Sequence, residues 1–176
     1  TFGAEFRSLQ GHYPIIFRRD DSQARYEAIA LLGFTEDENL FLEDARWDAP
    51  VVPLLLERQP FLIGRSGDEL MIQVDLDHPR VSRTEGEPVF KPHGGNSDYL
   101  AHVDGLLSTI HHGLQFEPGF IDALTRHELL EPFALEIEFD NGAQSRMSGF
   151  YTINEERLAA LDAGAVAELH QAGYLG

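Results

Sequence analysis

Residues 75–96 hold the densest collection of groups able to do chemistry. Asp75 and Asp77 stand two apart, as do Glu85 and Glu87, and His78 and His93 bracket the stretch "HPRVSRTEGEPVFKPHGGN". Carboxylates two apart share a face of an extended segment. General acid–base chemistry needs one such carboxyl buried enough to keep its proton at neutral pH. Burial is not written in spacing, so exposed acids paired locally with Arg80 and Arg83 are the plainer reading. "HGGN" offers backbone N–H groups to an anion, but the lysine of a P-loop and the spaced glycines of a dinucleotide site are missing. Pro79, Pro88 and Pro92 each remove a backbone donor, while Gly86, Gly94 and Gly95 permit positive φ. The segment therefore predicts a loop-rich crossing from strand to helix. Loops held by a scaffold often carry function.

The remaining candidates are weaker. His102, His111 and His112 fall in a helical pattern, where metal ligands must share a face three or four residues apart. Asp98 and His102 satisfy that spacing; His111 meets Asp104 only at seven. Neither H-x-H nor H-E-x-x-H occurs. His93 with Asp98 and His102 is the best cluster on offer, and no tightly bound transition metal is expected. The G-x-S-x-G elbow of a serine hydrolase is absent. Trp47 beside Pro50 and Pro53 could floor a pocket, though core packing is the simpler role.

Several elements must position these groups. "HYPIIFRR" and "YEAIALLGF", separated by "DDSQ", predict a hairpin over about 13–34. "NLFLED" reads as a third strand. Pro50, Pro53 and Pro60 forbid a regular element across 47–60 and leave an irregular or short helical bridge. A strand from Pro60 to Arg65, a turn at "RSGDEL" and the strand "LMIQVDL" follow. After Asn96 the period lengthens. Leu100, Val103, Leu106, Leu107, Ile110 and Leu114 form one helical stripe, capped by Ser97. A second helix is expected to open near Glu117, with Pro118 at its first position. "FALEIEF" alternates about a "DNG" turn into "QSRMSGFYTI", a hairpin that should turn Phe133, Leu135, Ile137 and Phe139 inward. Asn154 and Asp162 cap two short final helices. Hairpins rather than βαβ units join the strands, so the fold class is α+β: a mainly antiparallel sheet with two central helices and two short C-terminal ones.

Composition bounds the partners. A chain of 176 residues that is 43% hydrophobic fits one globular domain. Thirteen basic residues against 30 acidic ones give a formal charge of −17, which repels nucleic acid and anionic lipid and favours a cationic partner. The absence of cysteine excludes disulfides, thiolate zinc sites and a cysteine nucleophile. The apolar run at 49–56 is broken by proline and falls far short of the ~20 residues of a spanning helix. Membrane insertion is therefore not expected.

Three longer stretches carry a resemblance. "ALLGF…ENLFLED..WDAPVVPLLLERQPFLIG", "VDLDHPRVSRTEGEPVF" and "SGFYTINEERLAAL" are similar, in this order and spacing, to the SapC family of bacterial surface-layer-associated proteins. The likeness is not to the peptide-transporter permease that shares the label. It implies a single SapC-like domain over 1–176, trimmed at both ends. It brings no catalytic residues with it, only matching positions that include Asp75, Asp77, Glu85, Glu87 and Tyr151.

The expectation is a cofactor-free, cytoplasmic binding or accessory protein linked to surface-layer or transport systems. Its ligand is a peptide, small molecule or protein, its tentative ligand residues are Asp75, Asp77, Glu85, Glu87, His93 and Tyr151, and a homo-oligomer is left open. The rival readings are an enzyme with a carboxylate/His site around 75–96 and a structural surface-layer protein.

Overall fold

A computed structural model describes every residue except 21, 23, 24, 36, 45, 68, 143 and 176. Parts of the predicted turns at 20–23, 35–38 and 65–70 thus lie outside the described residues. The chain gathers into two compact units, one of residues 1–51 and 116–176 and the other of residues 52–115.

The first unit opens with the short helix α1 (Phe6–Leu9) and is built on a four-stranded antiparallel sheet. Its strands are β1 (Ile15–Asp20), β2 (Arg25–Ala30), β7 (Leu130–Glu138) and β8 (Gln144–Ile153), in the order β2-β1-β8-β7. Both predicted hairpins form, and β1 joins them by pairing Phe17 with Tyr151 and Arg18 with Phe150. Phe17, Ala28, Ile121, Ala123, Leu124, Leu129 and Leu169 make the core, with Leu158 and Leu161 against its edge. The two short helices, α4 (Glu155–Ala159) and α5 (Ala163–Gln171), begin as expected. Asn154 Oδ1 accepts the Arg157 N–H at 2.8 Å, and Asp162 Oδ1 accepts the Ala165 N–H at 2.9 Å.

Three expectations need correction here. "NLFLED" makes only a two-residue strand, β3 (Leu42–Glu43), paired with β4 (Arg46–Trp47). Leu40 and Leu42 are exposed, so no apolar face holds a longer strand. In β7 the alternation is right but shallow: Phe133, Leu135 and Ile137 are half-buried, and a register shift falls between Phe133 and Leu135. Phe139 lies beyond the strand and is exposed, edge-on to Phe34 at 6.2 Å. Finally, one 29-residue helix, α3 (Asp98–Arg126), replaces the two expected, with Pro118 inside it. Proline forfeits a hydrogen bond in a helix interior. Here the apolar stripe continues on both sides of it, with Ile110 buried before and Ile121 and Leu124 after. Burial of that stripe outweighs the local loss.

The second unit holds the short helix α2 (Leu54–Glu57), the two-stranded hairpin of β5 (Phe61–Ser66) and β6 (Glu69–Val74), and residues 98–115 of α3. Phe61, Leu100, Val103 and Leu107 form its core, flanked by Ile63, Ile72, Val74, Val89 and Tyr99. Ser97 caps α3 as predicted, its Oγ accepting the Leu100 N–H at 3.1 Å. Residues 78–96 contain no helix or strand, only an isolated bridge between Phe90 and Asn96, so the expected loop forms.

Candidate ligand site

Of the carboxylates singled out by spacing, that of Asp75 serves one of the loop's own turns. Asp75 Oδ1 accepts the Asp77 N–H at 3.1 Å, while the Asp75 carbonyl accepts the His78 N–H at 3.3 Å. This is the local bonding that aspartate brings to turns. His78 Nδ1 accepts the Arg80 N–H at 3.1 Å, and Ser82 Oγ accepts those of Thr84 and Glu85 at 3.2 Å each. Asp75, Asp77, Glu85, Glu87 and His93 are all exposed. The structure brings Asp75 and Asp77 together in one turn and places Glu85, Glu87 and His93 farther along the loop. Tyr151 belongs to the first unit, half-buried on β8 and edge-to-face with Tyr26 at 4.8 Å.

Two members of the His93, Asp98 and His102 cluster considered for a metal have other partners. His102 Nε2 lies 3.3 Å from Glu57 Oε1, and Asp98 Oδ1 lies 3.3 Å from Lys91 Nζ. Among the described residues, no group of three or more His, Asp or Glu side chains is gathered as metal ligands. Trp47 is structural: its Nε1–H donates to Tyr13 Oη at 2.8 Å and its ring stacks on Phe41.

The second unit carries a groove of about 310 Å³ between its hairpin and α3. The strand register explains its floor. Ile63 and Ile72 are partners across the hairpin, and Leu70 lies two residues before Ile72 on the same face. Leu107 of α3 completes the floor, and Met71 lines the groove as well. The rim is polar and comes from one helix. Asp104, Ser108 and His112 follow at steps of four residues, with His111 beside them. Each step of four rises about 6 Å, so the rim is a row roughly 12 Å long.

Two hydrogen bonds fix the imidazoles. His112 Nδ1 is 2.7 Å from the Ser108 carbonyl oxygen, which only accepts, so Nδ1 carries a proton and in the neutral ring Nε2 keeps the lone pair. His111 Nε2 faces the amide nitrogen of Gln115 at 3.0 Å, which only donates, so in the neutral ring the proton is on Nδ1. Asp104 is exposed, and no hydrogen bond or ion pair engages it among the described residues. Ser108 Oγ lies 3.5 Å from His112 Nδ1, at the limit of hydrogen bonding. That nitrogen already gives its proton to a carbonyl, so it has no lone pair with which to activate the serine.

The first unit has a larger cleft of about 600 Å³, walled by the rings of Phe6, Phe116, Phe120 and Tyr174 with Arg7 and Gln10 alongside. Close by, Glu117 Oε2 accepts the Gly3 N–H at 2.8 Å, and its other oxygen is buried without a partner. Burial pushes this carboxyl above the usual range, opposed by the Gly3 hydrogen bond.

Reasoning from sequence missed the groove. The four-residue spacing of Asp104, Ser108 and His112 is legible as one helix face, but nothing in that spacing marks the face as the rim of a groove. The hairpin supplying the floor was legible as two strands and a turn, but not its packing against this helix face. No curated protein and no solved structure matches the chain significantly. A protein-family model described as SapC matches residues 1–176, the whole of the chain, and the chain therefore belongs to the SapC family.

Proposed function

We propose that this SapC-family chain is a binding protein that works without a cofactor and seats its ligand in the groove between β5–β6 and α3. An apolar floor with a few converging polar groups is the usual form of a small-molecule site. The observation that carries the reading is the hydrogen bond from His112 Nδ1 to the Ser108 carbonyl. It disarms as a catalytic dyad the serine–histidine pair that the groove holds within hydrogen-bonding distance and leaves its side chains as recognition groups. The family match spans both compact units, which supports treating residues 1–176 as one functional domain. An accessory role beside a surface-layer or transport system is what the family resemblance suggests; the location proposed with it is the cytoplasm, with surface association as the alternative. No described helix is long and apolar enough to cross a membrane.

The test is a screen of a metabolite and peptide library by ligand-observed NMR, with mass spectrometry of each hit after incubation. A retained, chemically unchanged ligand whose binding is lost in Leu70→Asp supports the proposal. Leu70 is 49% exposed, so the substitution should be tolerated by the fold. A hit converted to a new mass, or binding indifferent to position 70, overturns it.

A further inference from the structure

We infer that the groove recognises a primary ammonium group carried on an apolar stem. This rests on the reading of the groove as a ligand site and specifies the ligand's chemistry. Among the groove-lining residues, the one full charge that does not depend on protonating an imidazole is the Asp104 carboxylate. It is unpartnered among the described residues, although elsewhere in this chain Arg18, Arg25, Lys91, Arg126, Arg146 and Arg157 all sit against carboxylates. The next two groups along the rim also offer lone pairs. Ser108 Oγ accepts as well as donates, and in the neutral His112 ring Nε2 accepts because the proton is held on Nδ1.

A ligand complementary to this row brings donors and positive charge at the rim and methylene groups at the floor. A primary ammonium is a compact cation with three rotatable N–H donors. It can sit between Asp104 and Ser108, which present acceptors one helical turn apart. Its stem then lies along Leu107, Ile72 and Leu70, the arrangement by which long cationic side chains cover apolar surface. An anion would meet Asp104 head-on. A neutral alcohol would fill the floor but leave the carboxylate unused. Arg65, opposite Leu70 in the hairpin, is exposed and does not line the groove. The formal charge of −17 adds a long-range attraction for cations. A free alkylamine and a lysine side chain carry the same head and stem.

The experiment is NMR titration of the whole chain at neutral pH and low salt, following the imidazole and Leu/Ile/Met methyl signals. The probes are n-hexylamine, 1-hexanol, hexanoate and Nα-acetyl-lysine methylamide. Hexylamine should bind about twofold to fivefold more tightly than hexanol, a modest factor because Asp104 is exposed. Hexanoate should bind least. Asp104→Asn should erase the preference for amine over alcohol while leaving hexanol affinity unchanged. Tighter binding of the lysine derivative than of hexylamine identifies a peptide source, and the reverse a free amine; both support the ammonium. Equal affinity for hexylamine and hexanol in the wild-type chain, or an amine preference that survives Asp104→Asn, overturns the inference and leaves the groove as a ligand site. If none of the four probes shifts groove signals, both the inference and the groove reading fall.

Discussion

Replacing Ile121 and Ile137 by alanine, one at a time, removes the same three carbons from two places in the first unit. Ile121 is 2% exposed and lies within the core of Phe17, Leu124, Leu129 and Leu169. Ile137 is half-buried and lines an open cleft with Glu136, Glu138 and Arg146. At about 0.8 kcal/mol per buried CH₂, full burial of three carbons is worth roughly 2.4 kcal/mol. At Ile121 the vacated space is walled on all sides, so a cavity penalty adds to this. The better helix propensity of alanine returns about 0.4 kcal/mol. The net loss should be about 3–4 kcal/mol, within the usual range for such truncations. At Ile137 about half the transfer term applies. Water enters the open cleft and no cavity forms, which with a few tenths for strand propensity gives about 1.5 kcal/mol. Urea denaturation followed by far-UV circular dichroism measures both, and an unchanged m-value certifies that only stability has moved. Equal losses, or a larger one at Ile137, would refute the assignment of the core to the α3 side of the sheet.

Asn154→Asp tests the cap of α4: aspartate caps helices as well as asparagine does. The Asn154 amide also donates to Glu131 Oε2 at 2.7 Å, so a carboxylate there meets another, and a loss of about 1 kcal/mol at neutral pH that shrinks in acid is expected from pH-dependent melts. Glu117→Gln bears on the buried carboxyl. Its folded pKa is raised, so its contribution to stability is fully present below the unfolded value and lost as pH rises through the folded one. The variant should therefore melt higher than the wild type above that window and equal to it below, and a constant difference across pH would rule out the charge as the cause. At Gly119 an added Cβ would lie 2.5 Å from Tyr174 Oη, so Gly119→Ala should displace the Tyr174 ring from Phe116 and Phe120 and cost about 1–2 kcal/mol. In a Tyr174→Ala background the same change should stabilise by about 0.5–1 kcal/mol, because only the helix preference for alanine over glycine remains.

Elements whose signals are local were legible in the sequence. The Asn154 and Asp162 caps, the turn around Gly142 and the alternation of β7 depend on neighbours along the chain, and each forms where expected. Pro118 misled because its cost is local, whereas the burial that outweighs it comes from Ile121 and Leu124 meeting partners on other elements. "NLFLED" misled for the converse reason: strand-forming side chains at Leu40 and Leu42 found no face to cover. Tyr151 and the acids of residues 75–87 were visible as residue types. That Asp75 would spend its carboxylate on a turn depends on a hydrogen bond to Asp77 that spacing permits but does not require. The groove needed the tertiary pairing of a helix face with a hairpin, and neither half announces the other.

That hairpin also bears on how the protein behaves at high concentration. Each of β5 and β6 has one side without a sheet partner among the described residues, and Leu62 and Met71 are exposed. A ribbon with unpaired edges and apolar side chains is a template on which another chain can add. Copies of this chain are held apart by their shared negative charge, a repulsion that salt screens and that acid removes as the carboxylates take up protons. Storage at neutral pH and low ionic strength should keep the protein dispersed. Mild acid should bring turbidity before any loss of helix, beginning at this ribbon.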